Sequence, residues 1–293
     1  MAARTAKPAR ELATALAGVR AFVLDADGVL MYRGAPIAGA VDALETLRRR
    51  GIPYRVVTNY SATHRDSLAR QFAKATGLPA QPELIITAAS AAAGYTARHL
   101  PGAPLFVLAS ADARREWEGQ DLLSPDEADA DGARVDGVVI GDAGDDLSFR
   151  NLDIAFRHLR AGAAFIAMHR NPWWVTRRGP TLDAGVAVAG LEFALGRKAT
   201  VCGKPSPVVF REAVAELRGD VAAAGGAPLR SRQVAMVGDD PRADVAAARR
   251  AGLRGILVLT GKVDAAEAAA AATKVGRDAV AASLAEVVAA LPE

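Results

Sequence analysis

Four short segments of this chain combine acidic, hydroxyl and cationic side chains at spacings that chemistry could use. In LDADGVL, Asp25 closes an apolar run and Asp27 follows two residues later, ahead of Gly28. On an extended backbone residues i and i+2 share a side, so both carboxylates are expected to face one way, where they could share a divalent cation. An Asp turn closing a strand with the help of Gly28 has the same appearance. In VVTNYS, the Thr58 hydroxyl and the N–H of Asn59 could hold a phosphoryl oxygen, or could serve as ordinary N-cap chemistry. In CGKPSP, Lys204 offers a compact positive charge for an anion or for the carboxylates, although most single lysines are merely solvated. Beside it, Cys202 reads as a small buried hydrophobe. In MVGDDPRADV, Asp239, Asp240 and Asp244 follow another apolar run. Capping accounts for one or two of those three acids, and like charges gathered at separate strand ends repel unless a cation compensates.

Each segment needs an element to aim it. AFVL (21–24), YRVVTN (54–59), QVAMVGDD and LRGILVLTG read as buried strands, alternating with the helical patterns VDALETLRRRG, ending at Gly51, and RADVAAARRAG, ending at Gly252. Acids at the C-terminal ends of such strands lie where open α/β sheets bind ligands. Between the second and third segments the chain has an alternation of its own. A helix around Ala91–His99 precedes strands in PLFVLAS and RVDGVVIGD, the helix NLDIAFRHLRAG, a strand in AAFIAMH and a loop RNPWWVTRRGP. The expected fold is therefore α/β with a largely parallel sheet and a second domain inserted in it. Its boundaries fall near Ala88 and Gly196, giving 1–88, 89–196 and 197–293.

With 293 residues, 51% hydrophobic and 24% charged, the chain has the length of about two domains and can bury a sizeable core. One cysteine cannot make an internal disulfide, which points to a reducing cytoplasm. Thirty-six Lys and Arg against 33 Asp and Glu leave +3, so no nucleic-acid partner is implied. No apolar run is long enough for a membrane span, and the Arg-rich leader, interrupted by Glu11, reads as a short surface helix. A homo-oligomer is compatible with all of this.

Taken in order, these motifs resemble those of the haloacid dehalogenase-like (HAD) superfamily: Asp-x-Asp-Gly, a Ser/Thr after the second strand, a Lys, and a Gly-Asp with a further acid. The long insert resembles the C2-type cap of subfamily IIA, the NagD-like phosphatases. DADGVL, GDAGDDLSFRNLDIAF, GKPSP and GDDPRADV followed by LTGK are most similar to the branch containing phospholysine phosphohistidine inorganic pyrophosphate phosphatase, whereas TNY (58–60) resembles NagD-type nucleotide phosphatases. The resemblance implies a Rossmann-like parallel-sheet HAD core with an inserted α/β C2-type cap domain, and a phosphohydrolase of small phosphorylated metabolites working through an aspartyl-phosphate.

In that family pattern Asp25 matches the nucleophile, Asp27 the general acid/base, Thr58 and Asn59 the phosphoryl cradle, and Lys204 the charge-balancing lysine. Asp239 matches the third contact of a Mg²⁺ otherwise held by Asp25 and the Asp27 carbonyl, and Asp244 the acid behind it; Asp240 has no clear match. Oxygen donors without a cysteine and histidine cluster suit Mg²⁺ rather than zinc. Within the insert, His169, Arg170, Trp173, Trp174, Arg177 and Arg178 could grip an anionic or planar leaving group, or simply pack a surface loop. Two other readings stay open. A phosphomutase or phosphotransferase would use the same aspartyl-phosphate, and a phosphoacceptor signalling module has similar residue types, although its acceptor does not stand in the first strand.

Overall fold

The computed structural model describes residues 11–32, 34–176, 179–261, 266, 270 and 279–292. The chain divides into two compact units, the second comprising Asn59–Leu68 and Thr87–Gly203. The chain passes between the two units at Thr58/Asn59, Leu68/Ala69, Ile86/Thr87 and Gly203/Lys204.

The first unit is built on a six-stranded parallel sheet. Its strands, in spatial order, are Ala279–Ala281, Arg254–Val258, Val234–Gly238, Ala21–Asp25, Tyr54–Val57 and Ile85–Ile86. Ala21–Asp25 is buried along its whole length, as a central parallel strand covered on both faces must be. Successive connections leave it on opposite sides, so its C-terminal end lies at the switch point where such sheets open a crevice. Register then aligns the chemistry. Asp25 pairs level with Val57, and Leu24 with Val237, which brings Thr58 and Asp239 to the same edge of the sheet as Asp25.

Several local expectations change in this unit. The strand read as 54–59 stops at Val57, leaving Thr58 and Asn59 in the loop beyond it. RADVAAARRAG is not one α-helix: Pro241–Ala246 is a π-turn, with Val245 N–H donating to Asp240 O at 3.3 Å, and α-helix follows only over Ala247–Arg250. In the leader, residues 11–16 are helical and bury Leu12, Ala15 and Leu16, while residues 1–10 lie outside the described residues. That helix is the short surface element expected, with Ala13 and Thr14 exposed opposite its buried face, and the Arg254 guanidinium donates to its Thr14 and Ala15 carbonyls.

The second unit has its own parallel sheet, in the order Thr200–Val201, Ala164–Ala167, Gly137–Ile140, Leu105–Leu108 and Leu122–Leu123. The helix Phe149–Arg160 starts at Ser148, whose side chain accepts from Asn151 N–H, and buries Ile154, Ala155 and Leu159 at helical spacing against Phe106, Val138 and Phe165. The segment RNPWWVTRRGP is not a loop. Trp173–Thr176 pairs antiparallel with Gly179–Leu182, and Pro180 is tolerated because every strand of a two-stranded hairpin is an edge. Arg177 and Arg178 lie outside the described residues.

Candidate active site

Asp25 ends the central strand, and its buried carboxylate oxygen Oδ1 accepts from the Ala26 N–H at 2.7 Å and pairs with Lys204 Nζ at 2.6 Å. Lys204 is itself buried, so the solvated-lysine reading falls; Nζ also meets Asp244 Oδ1 at 2.8 Å. The π-turn places Asp244 there, and the Asp240 N–H donates to its other oxygen at 3.0 Å. Asp240, whose role the motifs left unclear, caps that turn by accepting from the Arg242 and Ala243 N–H groups.

The chain leaves the extended conformation at Ala26, so period-two spacing does not carry past Asp25. Asp27 instead opens a turn in which the Leu30 and Met31 N–H groups donate to Ala26 O and the Gly28 N–H donates to Met31 O. As a result Asp25 is buried and Asp27 exposed. Thr58 is buried just past its strand, its N–H donating to Ile86 O at 3.0 Å, and Asn59 follows it, half-buried, as the first residue assigned to the second unit.

Asp239 lies between two backbones that only glycine allows. A Cβ on Gly28, whose φ is +78°, or on Gly261 would stand closer than 3.0 Å to the Asp239 carboxylate. A Cβ on Gly238 would meet Asp244 in the same way. The Thr260 hydroxyl, donating to Gly28 O at 2.5 Å, ties the loop bearing Gly261 to the Asp27–Gly28 turn. Sequence reasoning did not single out Thr260 or Gly261 as site residues, although LTGK carried the signal.

Among the described residues, Asp25, Asp239 and Asp244 form a buried group whose carboxylate oxygens all lie within 4.8 Å of one another. Fully ionised, three carboxylates and Lys204 sum to −2. The electrostatics register that excess. Burial raises the Asp25 carboxyl above its ordinary range against the opposing pull of Lys204, and burial followed by the Asp25 charge pushes Asp244 up to about 7. Burial opposes the charge on Lys204, but Asp244 and Asp25 outweigh it and hold the ammonium protonated well above neutrality. A hard divalent cation would offset the excess, and an all-oxygen donor set suits Mg²⁺. Asp244 belongs to this group together with Asp25 and Asp239, whereas the Asp27 side chain is not part of it.

In the second unit, His169 is 1% exposed. Its Nδ1 accepts from the Asn171 N–H, which leaves the proton of the neutral ring on Nε2 to donate to Ser61 Oγ at 2.8 Å. Burial holds its pKa below the ordinary histidine value, against the nearby Asp183 and Asp142 charges. This link between residues 61 and 169 had no sequence signal. Arg170 is exposed and pairs with the buried Glu192 at 2.6 Å. Trp173 and Trp174, on the hairpin, are 56% and 47% exposed.

Among the described residues no helix is long and apolar enough to cross a membrane. A family model for haloacid dehalogenase-like hydrolases matches residues 22–122, and one described as HAD-hydrolase-like matches 201–287. Haloacid dehalogenase-like hydrolase domain-containing protein 2 of Bos taurus is 34% identical over 249 residues, which cover 85% of this chain and 87% of that protein. Phospholysine phosphohistidine inorganic pyrophosphate phosphatase of Homo sapiens is 31% identical over 231 residues, 77% of each chain. Among solved structures, glycerol phosphate phosphatase from Mycobacterium tuberculosis, in complex with magnesium, superposes with a TM-score of 0.75 at 30% identity over 94% of this chain and 77% of that one.

Proposed function

We propose, for a chain that belongs to the haloacid dehalogenase-like hydrolases and is a phosphatase, that it hydrolyses a small phosphorylated metabolite with Mg²⁺ through an aspartyl-phosphate on Asp25. The observation that carries this reading is the buried group of three carboxylates and one lysine at the end of the central strand. The Asp25 and Asp239 carboxylates and the Asp27 carbonyl would hold the ion, with Asp244 beside them. When bound, Mg²⁺ supplies positive charge to a phosphate oxygen and offsets the crowded carboxylates.

Phosphoryl transfer depends mainly on positioning and charge stabilisation. The Ala26 N–H and Lys204 grip one oxygen of Asp25, which fixes the carboxylate in a single orientation for in-line attack. Lys204 stays positive beside it, and the Thr58 hydroxyl with the following Asn59 N–H takes a phosphoryl oxygen. Asp27, exposed where Asp25 is buried, donates a proton to the departing oxygen and then accepts one from the water that releases phosphate.

The inserted segment, read from sequence as 89–196, would act as the cap that selects the leaving group, with Trp173, Trp174 and Arg170 as its exposed candidates. His169, with both ring nitrogens engaged inside its own unit, is better suited to holding that unit together. The relatives' names cover phosphoamino acids, pyrophosphate and glycerol phosphate, so the substrate class is set no finer than a small phosphorylated metabolite. The single buried cysteine suits a reducing cytoplasm. Phosphate release over such compounds, with Mg²⁺ and with chelator, tests the proposal. Activity should require the metal and vanish in Asp25→Asn, and full turnover in chelator or in that variant would overturn it.

A further inference from the structure

Ser61 and His169 take no part in the phosphoryl-transfer chemistry, yet both are polar and buried in the second unit. A buried polar pair costs stability unless it is satisfied, and this one is, with the His169 Nε2–H donating to Ser61 Oγ at 2.8 Å. The proton stands there because Nδ1 accepts from the Asn171 N–H at 3.2 Å. Asn171 is held in turn, its carbonyl accepting from the Gly185 N–H at 3.1 Å, an approach that a Cβ on Gly185 would block. Ser61, His169 and nearby Asp183 have the residue types of a nucleophilic triad but not its geometry. Asp183 Oδ1 lies 3.6 Å from Nε2, the nitrogen that already faces the serine, and Nδ1 carries no proton to give to an acid. The ring is a donor to Ser61, not its base.

The place of Ser61 in the chain gives this bond its consequence, because Asn59 stands two residues before it. Ahead of Asn59 the chain is fixed within the first unit, where the Thr58 N–H donates to Ile86 O at 3.0 Å. Beyond Asn59 it is fixed within the second, where Tyr60 O accepts from the Ala88 N–H at 3.1 Å and His169 holds Ser61. The Asn59 side chain is packed as well. A Cβ on Gly203 would stand 2.7 Å from Asn59 Oδ1 and 2.6 Å from Met168 O, the same oxygen that accepts from the Gly203 N–H at 2.7 Å. A peptide plane turns only if the dihedrals on both sides of it turn together, and anchors before and after Asn59 resist that. Its N–H therefore keeps one direction for as long as Ser61 is held.

We propose that His169 is a positioning residue for the phosphoryl group: by holding Ser61 it fixes the direction of the Asn59 N–H. This rests on the reading of Thr58 and Asn59 as the phosphoryl cradle. A donor aimed in advance stabilises charge without reorganisation, whereas one that must first be turned loses part of its worth. Two substitutions divide the ring between them. Asparagine places a polar atom where Nδ1 stands, so it keeps the contact with the Asn171 N–H and loses Ser61. Glutamine reaches the place of Nε2, so it keeps Ser61 and loses Asn171.

Inorganic phosphate, used as a competitive inhibitor of p-nitrophenyl phosphate turnover by the full chain, reads the cradle. His169→Asn and Ser61→Ala should each weaken phosphate binding about tenfold, the worth of one well-placed hydrogen bond. Combined, they should lose no more than either alone, because both remove the same link. His169→Gln should restore phosphate affinity to within about threefold of the wild type, since it still reaches Ser61. Calorimetric Mg²⁺ affinity without phosphate should be the same in all four proteins, because none of the proposed ligands is touched. A histidine that merely packs would make the Asn and Gln variants lose alike, in step with their melting temperatures, and that result would overturn the proposal. Thr58→Val separates the two levels of the account. If it weakens phosphate binding while His169→Asn and Ser61→Ala do not, the cradle stands and the role of His169 falls; if it leaves phosphate binding at wild-type strength, the cradle fails and takes the role of His169 with it.

Discussion

Replacing Gly28 by alanine should separate the work of the site from the stability of the fold. Two effects add at this position. The backbone φ of +78° is left-handed, which costs an alanine about 1 kcal/mol of folding stability. The new Cβ would also stand closer than 3.0 Å to the Asp239 carboxylate, where ordinary contact begins at 3.4 Å, so that carboxylate must give way by about 1 Å. A shift of that size in a group that positions the reaction costs about 10²-fold in kcat/KM, or about 2.7 kcal/mol of transition-state stabilisation. Half-saturation by Mg²⁺ should rise in parallel, because Asp239 is one of the proposed ligands. Gly261→Ala supplies the control: it crowds the same carboxylate without the left-handed backbone, so it should lose activity and metal affinity while keeping that kilocalorie of stability. Turnover of p-nitrophenyl phosphate against Mg²⁺ concentration, with denaturant melts of all three proteins, measures both effects. Wild-type kcat/KM at limiting Mg²⁺ in either variant would refute the placement of Asp239 in the metal site.

Asp25→Asn should abolish turnover with an unchanged melting profile; residual hydrolysis at the wild-type rate would remove Asp25 from the chemistry. His169 is buried neutral with a lowered pKa, so its contribution is present above the unfolded value of about 6.5 and lost as pH falls through the folded value. Melting temperature should therefore drop on acidification below about pH 6.5, and more gently in His169→Gln; parallel curves would show that the acid limb belongs to other groups. Alanine at both Trp173 and Trp174 should reorder natural substrates while sparing a small aryl phosphate, as measured by kcat/KM across a panel. An unchanged ranking would take the hairpin out of recognition.

How far these features could be read in advance depended on how local their causes are. LDADGVL and MVGDDPRADV declare themselves because a buried strand and the acid beyond it are neighbours in the chain, and the parallel sheet then brings separate strand ends to one edge. CGKPSP offers Lys204 as a partner for the carboxylates, but the π-turn at Pro241–Ala246 that delivers Asp244 to it changes no hydrophobic period and leaves no mark in the sequence. Trp173–Leu182 was missed as a hairpin because WWVT lacks alternation and Pro180 argues against a strand unless every strand is an edge. Ser61 and His169 meet across 108 residues, a distance no spacing rule spans.

The most direct test of the account is to look for phosphate on Asp25 itself. Asp27→Asn should still be phosphorylated by an activated aryl phosphate, which needs little help in expelling its leaving group, but should lack the base for the second step. Rapid acid quench, intact-mass measurement and peptide mapping should then show one added phosphoryl group on Asp25 together with a burst of alcohol product. No burst and no added mass, with alkyl and aryl substrates slowed by the same factor, or phosphate mapped to any other residue, would contradict it.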